Sequence, residues 1–121
     1  MKVLIKNASA VLPGNAAPVP TDLLIEDGRI TGIGGSYTAE QTLEASGQIL
    51  LPALFDMHVH LREPGGEDRE TIESGTEAAI NGGFTGLLAM PNTTPPIDTG
   101  GMVTFVKNMA ATRARIPVAV A

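Results

Sequence analysis

The chain has no cysteine and no tryptophan, and only one tyrosine and three phenylalanines among its 121 residues. Without cysteine there is no disulfide framework and no thiolate zinc site, which suits a reducing compartment. With so few aromatics, the core must be built from Leu, Ile, Val, Ala and Met. Basic residues are also scarce: eight Lys and Arg stand against thirteen Asp and Glu, a net charge of −5. That balance argues against nucleic-acid or anionic-membrane surfaces, which need clustered cations. No apolar run approaches the roughly 18–20 residues of a spanning helix. The opening Met1–Lys6 segment is too short and too interrupted to be a signal peptide. These absences point to a soluble cytoplasmic protein.

What is plentiful is turn chemistry and aliphatic patterning. Gly (14) and Pro (9) are frequent and lie between apolar periodic segments, so they read as punctuation within a fold rather than as disorder. Residues 1–50 read as short antiparallel strands. Val3-Leu4-Ile5 begins one strand and a Pro- and Ala-rich loop runs from Pro13 to Pro20. Asp22–Glu26 and Arg29–Ile33 flank Asp27-Gly28, a hairpin signal because the turn needs positive φ. Leu43–Ala45 and Gln48–Leu51 read as further strands around a turn at Ser46-Gly47.

Residues 51–121 change to strand–helix alternation, the mark of parallel α/β structure. Ala53–His60 reads as an apolar strand with a polar end, followed by a Gly-rich loop at Glu63–Gly66. Asp68 is the expected cap of a helix carrying Ile72, Thr76, Ala79 and Ile80 on one face, and Gly82-Gly83 is its expected stop. The acidic group Glu67, Asp68 and Glu70 fits the start of that helix. Phe84–Met90 reads as a buried strand. Met102, Phe105, Val106 and Met109 give a second helix with a core-facing stripe, and Ile116–Ala121 begins a third strand. Three strands and two helices cannot close a barrel, and an uncovered last strand would be an apolar edge. The expectation is therefore a truncated sequence or a fragment of a larger protein.

Both histidines of the chain fall in His58-Val59-His60. Positions i and i+2 of a strand share a face, so two imidazoles there can converge on one cation. The same parity gathers Asp56, His58, His60 and Arg62 on one face, and Met57, Val59 and Leu61 on the other, beneath the helices. A strand end carrying Asp-His-His-Arg is costly to bury without a ligand, and the C-terminal ends of strands are where α/β barrels place their sites. Asp56 can orient a histidine or make a structural hydrogen bond. Glu63, before a proline, reads as a loop or helix-start residue. From pattern alone, Asn92 is a turn residue between prolines.

The stretch from Ile49 to Gly65, with Asp56-Met57-His58-Val59-His60-Leu61-Arg62-Glu63-Pro64-Gly65 at its centre, resembles the opening metal motif of the class I type dihydroorotases, within the amidohydrolase superfamily. Ala89-Met90-Pro91-Asn92-Thr93-Thr94-Pro95 is similar to that family's loop after the second barrel strand. Glu73–Ala79, Gly82–Thr85 and the hairpin from Ile25 to Ile30 fit as well, so the likeness covers nearly the whole chain. Arg62 and Asn92 discriminate: allantoinases usually carry Asn at the first position and Leu-Asn at Asn92-Thr93, and dihydropyrimidinases depart further after His60. Ala53 is a departure, standing where the family usually has Gly.

The resemblance implies an α/β fold in which residues 1–50 are the N-terminal part of a small β-sandwich domain and residues 51–121 the start of a TIM-like (β/α)8 amidohydrolase barrel. It further implies a binuclear zinc hydrolase of pyrimidine synthesis that interconverts N-carbamoyl-L-aspartate and L-dihydroorotate. His58 and His60 would be zinc ligands, and Arg62 and Asn92 would hold the substrate carboxylate. An arginine fork and a neutral amide donor suit that anion. The remaining ligands and the general acid/base are expected beyond Ala121, so residues 1–121 alone should be inactive. A homodimer and association with aspartate carbamoyltransferase are both compatible with the resemblance. Two alternatives stand beside the active enzyme: a non-catalytic dihydroorotase-like scaffold for aspartate carbamoyltransferase, and an allantoinase-type cyclic amidase.

Overall fold

A computed structural model describes Met1–Ala121 as two compact units, Met1–Pro52 and Ala53–Ala121. The first is a five-stranded sheet. Its strands are β1 (Lys2–Ala10), β2 (Val19–Glu26), β3 (Arg29–Ile33), β4 (Gln41–Glu44) and β5 (Ile49–Leu50), with Leu4, Ala8, Leu23 and Leu24 buried along β1 and β2. The β2–β3 hairpin closes as its Asp-Gly pair requires: Glu26 pairs with Arg29, and Asp27 and Gly28 take φ of 50° and 77°.

The expected all-antiparallel arrangement does not hold. β1 is antiparallel to β2 but parallel to both β4 and β5. The Ser46-Gly47 turn does not reverse the chain. It is a jog that lets two short strands run along one edge of β1, with Ala45 N–H donating to the Lys6 carbonyl and Ser9 N–H to the Gln48 carbonyl. A bulge in β1 falls at the same level, where Asn7 takes a φ of 58° and its amide donates to the Glu44 carboxylate. β2 also begins earlier than expected, inside the Pro-rich segment. Pro20 is tolerated because β3 pairs only with Leu23–Glu26, so no neighbour needs the missing N–H.

The second unit is a three-stranded parallel sheet in the order β6 (Leu54–Val59), β7 (Phe84–Ala89), β8 (Val118–Val120), with α1 (Ile72–Asn81) and α2 (Gly100–Arg113) as the crossovers. α1 packs on β7 and α2 on β8 around Leu61, Ile72, Leu87, Ala89, Ile97, Val106 and Ala110. The cap of α1 is Thr71, not Asp68. The Thr71 hydroxyl accepts the Ser74 N–H and the Ser74 hydroxyl accepts the Thr71 N–H, a reciprocal capping box three residues further on. Gly82-Gly83 ends the helix as expected, Gly83 with a φ of 83°. Of the α1 stripe, Ile72 and Thr76 are buried but Ile80 is 45% exposed. In α2, Val106 is buried and Met102 and Met109 pack on the core, whereas Phe105 turns outward.

The expected buried character of the first parallel strand also fails in part. Leu54, Phe55 and Met57 are exposed, because β6 pairs only with β7 and neither helix packs on it. Val59 and Leu61 do enter the core. No helix is long and apolar enough to cross a membrane.

Candidate functional site

The site lies where β6 and its parallel neighbour β7 end together. Val59 is in register with Ala89, and the Met90 N–H donates to the Val59 carbonyl at 2.8 Å. His60 and Asn92, 32 residues apart in sequence, thereby leave the sheet side by side.

The ladder is irregular between Asp56 and Val59. His58 sends its N–H to the Asp56 carboxylate at 3.0 Å. Asp56 thus makes a structural bond to the backbone rather than orienting an imidazole. The two rings meet edge to face, with centroids 5.0 Å apart, and His58 Nε2 lies 3.2 Å from His60 Nε2. Two ring nitrogens this close need a proton or a cation between them. Two nitrogens at about 2.0–2.1 Å from one tetrahedral cation stand roughly 3.3–3.4 Å apart, so the pair fits zinc. No group of three His, Cys, Asp or Glu side chains that could hold a metal ion forms within these residues. The pair supplies two ligands, fewer than the three or four that a zinc site takes from protein.

His60 Nδ1 is 2.8 Å from the Asn92 amide oxygen. Asn92 and Arg62 line one cleft of about 140 Å³, shared with Gly65, Gly66, Asp68, Arg69, Thr93 and Thr94. Neither Arg62 nor Arg69 has a salt bridge, so two free guanidinium groups face a single small polar cleft. Arg69 was not singled out from the sequence. Its sequence signal is a cation four residues beyond Gly65 in a Gly-rich loop, set among acidic residues. Those acids are not a helix-start cluster, since α1 begins only at Ile72. Glu67 instead accepts the Gly65 N–H at 2.9 Å, which holds its carboxyl below the usual range.

Glu63 anchors the loop from beneath. Its side chain is buried, accepts the Ile72 N–H at the start of α1 (2.9 Å) and pairs with Arg113 in the last turn of α2. The alternation at the strand end continues into the loop: Leu61 and Glu63 point inward, Arg62 outward. Ala53, the departure from the family pattern, is exposed just before β6.

The second unit has the architecture of the opening of an amidohydrolase barrel, with the histidine pair and the arginine cleft at the C-terminal ends of adjacent parallel strands, where such barrels carry their sites. The Dihydro-orotase-like family profile matches residues 47–120, and the chain belongs to that family. It is 47% identical over 109 residues to the dihydroorotase of Pelotomaculum thermopropionicum, covering 88% of this chain and 26% of that protein. It is 48% identical over 101 residues to the dihydroorotase of Bacillus cytotoxicus, covering 82% and 23%. Among solved structures it superposes on the L-hydantoinase (dihydropyrimidinase) of Arthrobacter aurescens with a TM-score of 0.86 at 29% identity, covering 98% of this chain and 27% of that one. The dihydropyrimidinase of Brevibacillus agri gives 0.81 at 27% identity, with 99% and 26% covered. The chain thus spans about a quarter of the length of the relatives it matches.

Proposed function

We propose that residues 1–121 form the first metal- and carboxylate-binding segment of a cytoplasmic, zinc-dependent dihydroorotase, which interconverts L-dihydroorotate and N-carbamoyl-L-aspartate for pyrimidine synthesis. The observation that carries this reading is the His58–His60 nitrogen pair at 3.2 Å beside a cleft lined by Arg62 and Asn92. His58 and His60 would hold zinc through Nε2. When bound, zinc supplies Lewis-acid activation of an amide carbonyl and of water.

The chain's own residues bind and orient the substrate. Arg62 offers a two-pronged fork to a carboxylate, and the Asn92 amide nitrogen, its oxygen already engaged by His60, adds a neutral donor. A cyclic amide anchored there by its carboxylate presents the ring next to the histidine pair. Hydrolysis breaks the ring C–N bond, with the oxygen of water going to the carbonyl carbon and a proton to the leaving nitrogen. Asp56 accepts the His58 N–H and is not assigned as the proton carrier.

The test is turnover of L-dihydroorotate, hydantoin, dihydrouracil and allantoin by the full-length protein, with zinc content measured in His58→Ala and His60→Ala. Dihydroorotate turnover and loss of zinc in both variants are expected. Exclusive turnover of another cyclic amide would reassign the substrate. Absence of turnover with an intact aspartate carbamoyltransferase complex would favour the scaffold reading.

A further inference from the structure

We infer that Asn92 is a positioning residue for the metal site: its amide oxygen fixes the tautomer and ring orientation of His60, while its amide nitrogen stays free for the carboxylate cleft. The inference rests on the proposed roles of His58 and His60 as zinc ligands and extends them.

An imidazole can ligate a cation through Nε2 only if Nε2 carries a lone pair, so in the neutral ring the proton sits on Nδ1. A proton on His60 Nδ1 needs an acceptor. The Asn92 Oδ1, 2.8 Å away, is that acceptor. The opposite ring edge then turns Nε2 toward His58 Nε2 at 3.2 Å. Asparagine is suited to both tasks because its amide carries an acceptor and a donor on one planar group. With Oδ1 fixed on His60, Nδ2 has no protein partner among the hydrogen bonds of Asn92, and Asn92 itself lines the cleft with Arg62. One side chain therefore touches both halves of the site.

The backbone makes this contact reproducible. The Asn92 loop is held by Ile97 N–H on the Pro91 carbonyl (2.9 Å), by Thr94 N–H on the Pro64 carbonyl (3.1 Å) and by the Thr93 hydroxyl on the Pro95 carbonyl (2.8 Å). His60 is fixed by the strand pairing just before it. An outer hydrogen bond of this kind, when lost, typically lowers metal affinity or activity tenfold or more.

Asn92→Ala and Asn92→Asp in the full-length protein separate the two tasks. The aspartate retains an acceptor for His60 but loses the donor and sets a negative charge against a carboxylate. Zinc affinity, read by chelator competition, should fall about tenfold or more in Asn92→Ala and stay near the parent in Asn92→Asp. KM for dihydroorotate should rise in both. In the metal-free protein, side-chain 15N spectra should show His60 protonated at Nδ1, with Nε2–H appearing in Asn92→Ala only. Unchanged zinc affinity and an unchanged His60 tautomer in folded Asn92→Ala would overturn the inference, leaving Asn92 a substrate contact alone. His58→Ala and His60→Ala serve as the separate control: if they too retain zinc, the ligand assignment fails, not the Asn92 coupling.

Discussion

Gly65 and Thr94 are in backbone contact: a Cβ on Gly65 would stand 1.9 Å from the Thr94 carbonyl oxygen, and Gly65 holds a φ of 92°. The loop carrying Arg62 and the loop carrying Asn92 are therefore docked directly on each other, with Thr94 N–H on the Pro64 carbonyl as the adjoining hydrogen bond. This contact sets the distance between the two groups that line the cleft.

Gly65→Ala should accordingly injure the cleft more than the histidine pair. Positive φ alone costs an alanine about 1–2 kcal/mol, and the clash with Thr94 forces one loop to move. Expected is a higher KM for dihydroorotate with zinc content retained in the full-length protein. Loss of zinc without a change in KM would contradict this view of the contact.

Glu63→Ala should destabilise the protein by about 1–3 kcal/mol, the usual result of leaving a buried donor unsatisfied. The donor is the Ile72 N–H at the first turn of α1, while Arg113 is 53% exposed and can turn to water. Glu63→Gln keeps an acceptor and should lose less. Chemical denaturation of the full-length variants checks the order; equal stability of Glu63→Ala and the parent would remove Glu63 from this role.

Much of this arrangement was legible in the sequence where a residue type answers one local demand. Asp27-Gly28 demands a tight hairpin, Gly82-Gly83 a helix stop, and His58-Val59-His60 a shared face; the structure meets all three. What was not legible depends on partners distant in sequence. The parallel pairing of β4 and β5 is set by their neighbour β1, about 40 residues away in sequence, which no pattern in residues 41–50 announces. Thr71 displaced Asp68 as the cap because Ser74 completes a reciprocal pair with it, so α1 starts later than the acidic residues suggested. The exposure of Met57 reflects which strands the helices cover, not the alternation of β6. Arg69 lines the cleft because a turn, closed by its own N–H on the Gly66 carbonyl, folds the loop back.

The Glu67 carboxylate gives that loop a pH dependence. Its pKa is lowered chiefly by the Gly65 N–H, so the folded loop favours the ionised form. A depressed folded pKa contributes stability that is full above the unfolded carboxylate value and is lost as pH falls through the lower folded value. The Gly65 amide resonance should therefore titrate with a midpoint below the ordinary glutamate value, and Glu67→Gln should abolish that step. A midpoint at or above the ordinary value would remove the hydrogen bond from solution behaviour.

Arg62 and the histidine pair should separate cleanly in kinetics. A charge-assisted hydrogen bond typically contributes about 1.5–3 kcal/mol, roughly a ten- to hundredfold change in affinity. Arg62→Ala should raise KM for dihydroorotate by that order and leave zinc bound, because the guanidinium lines the cleft and makes no bond to either imidazole. Arg62→Lys should recover only part of the loss, since an ammonium lacks the planar fork that engages both carboxylate oxygens. Arg69→Ala tests whether the second free guanidinium shares the anion: with both cations lining one cleft, it should raise KM by less than Arg62→Ala, and the double variant should be worse than either. If Arg62→Ala leaves KM unchanged while Arg69→Ala raises it, the carboxylate belongs to Arg69, and the alternation that turned Arg62 outward served the loop rather than the substrate.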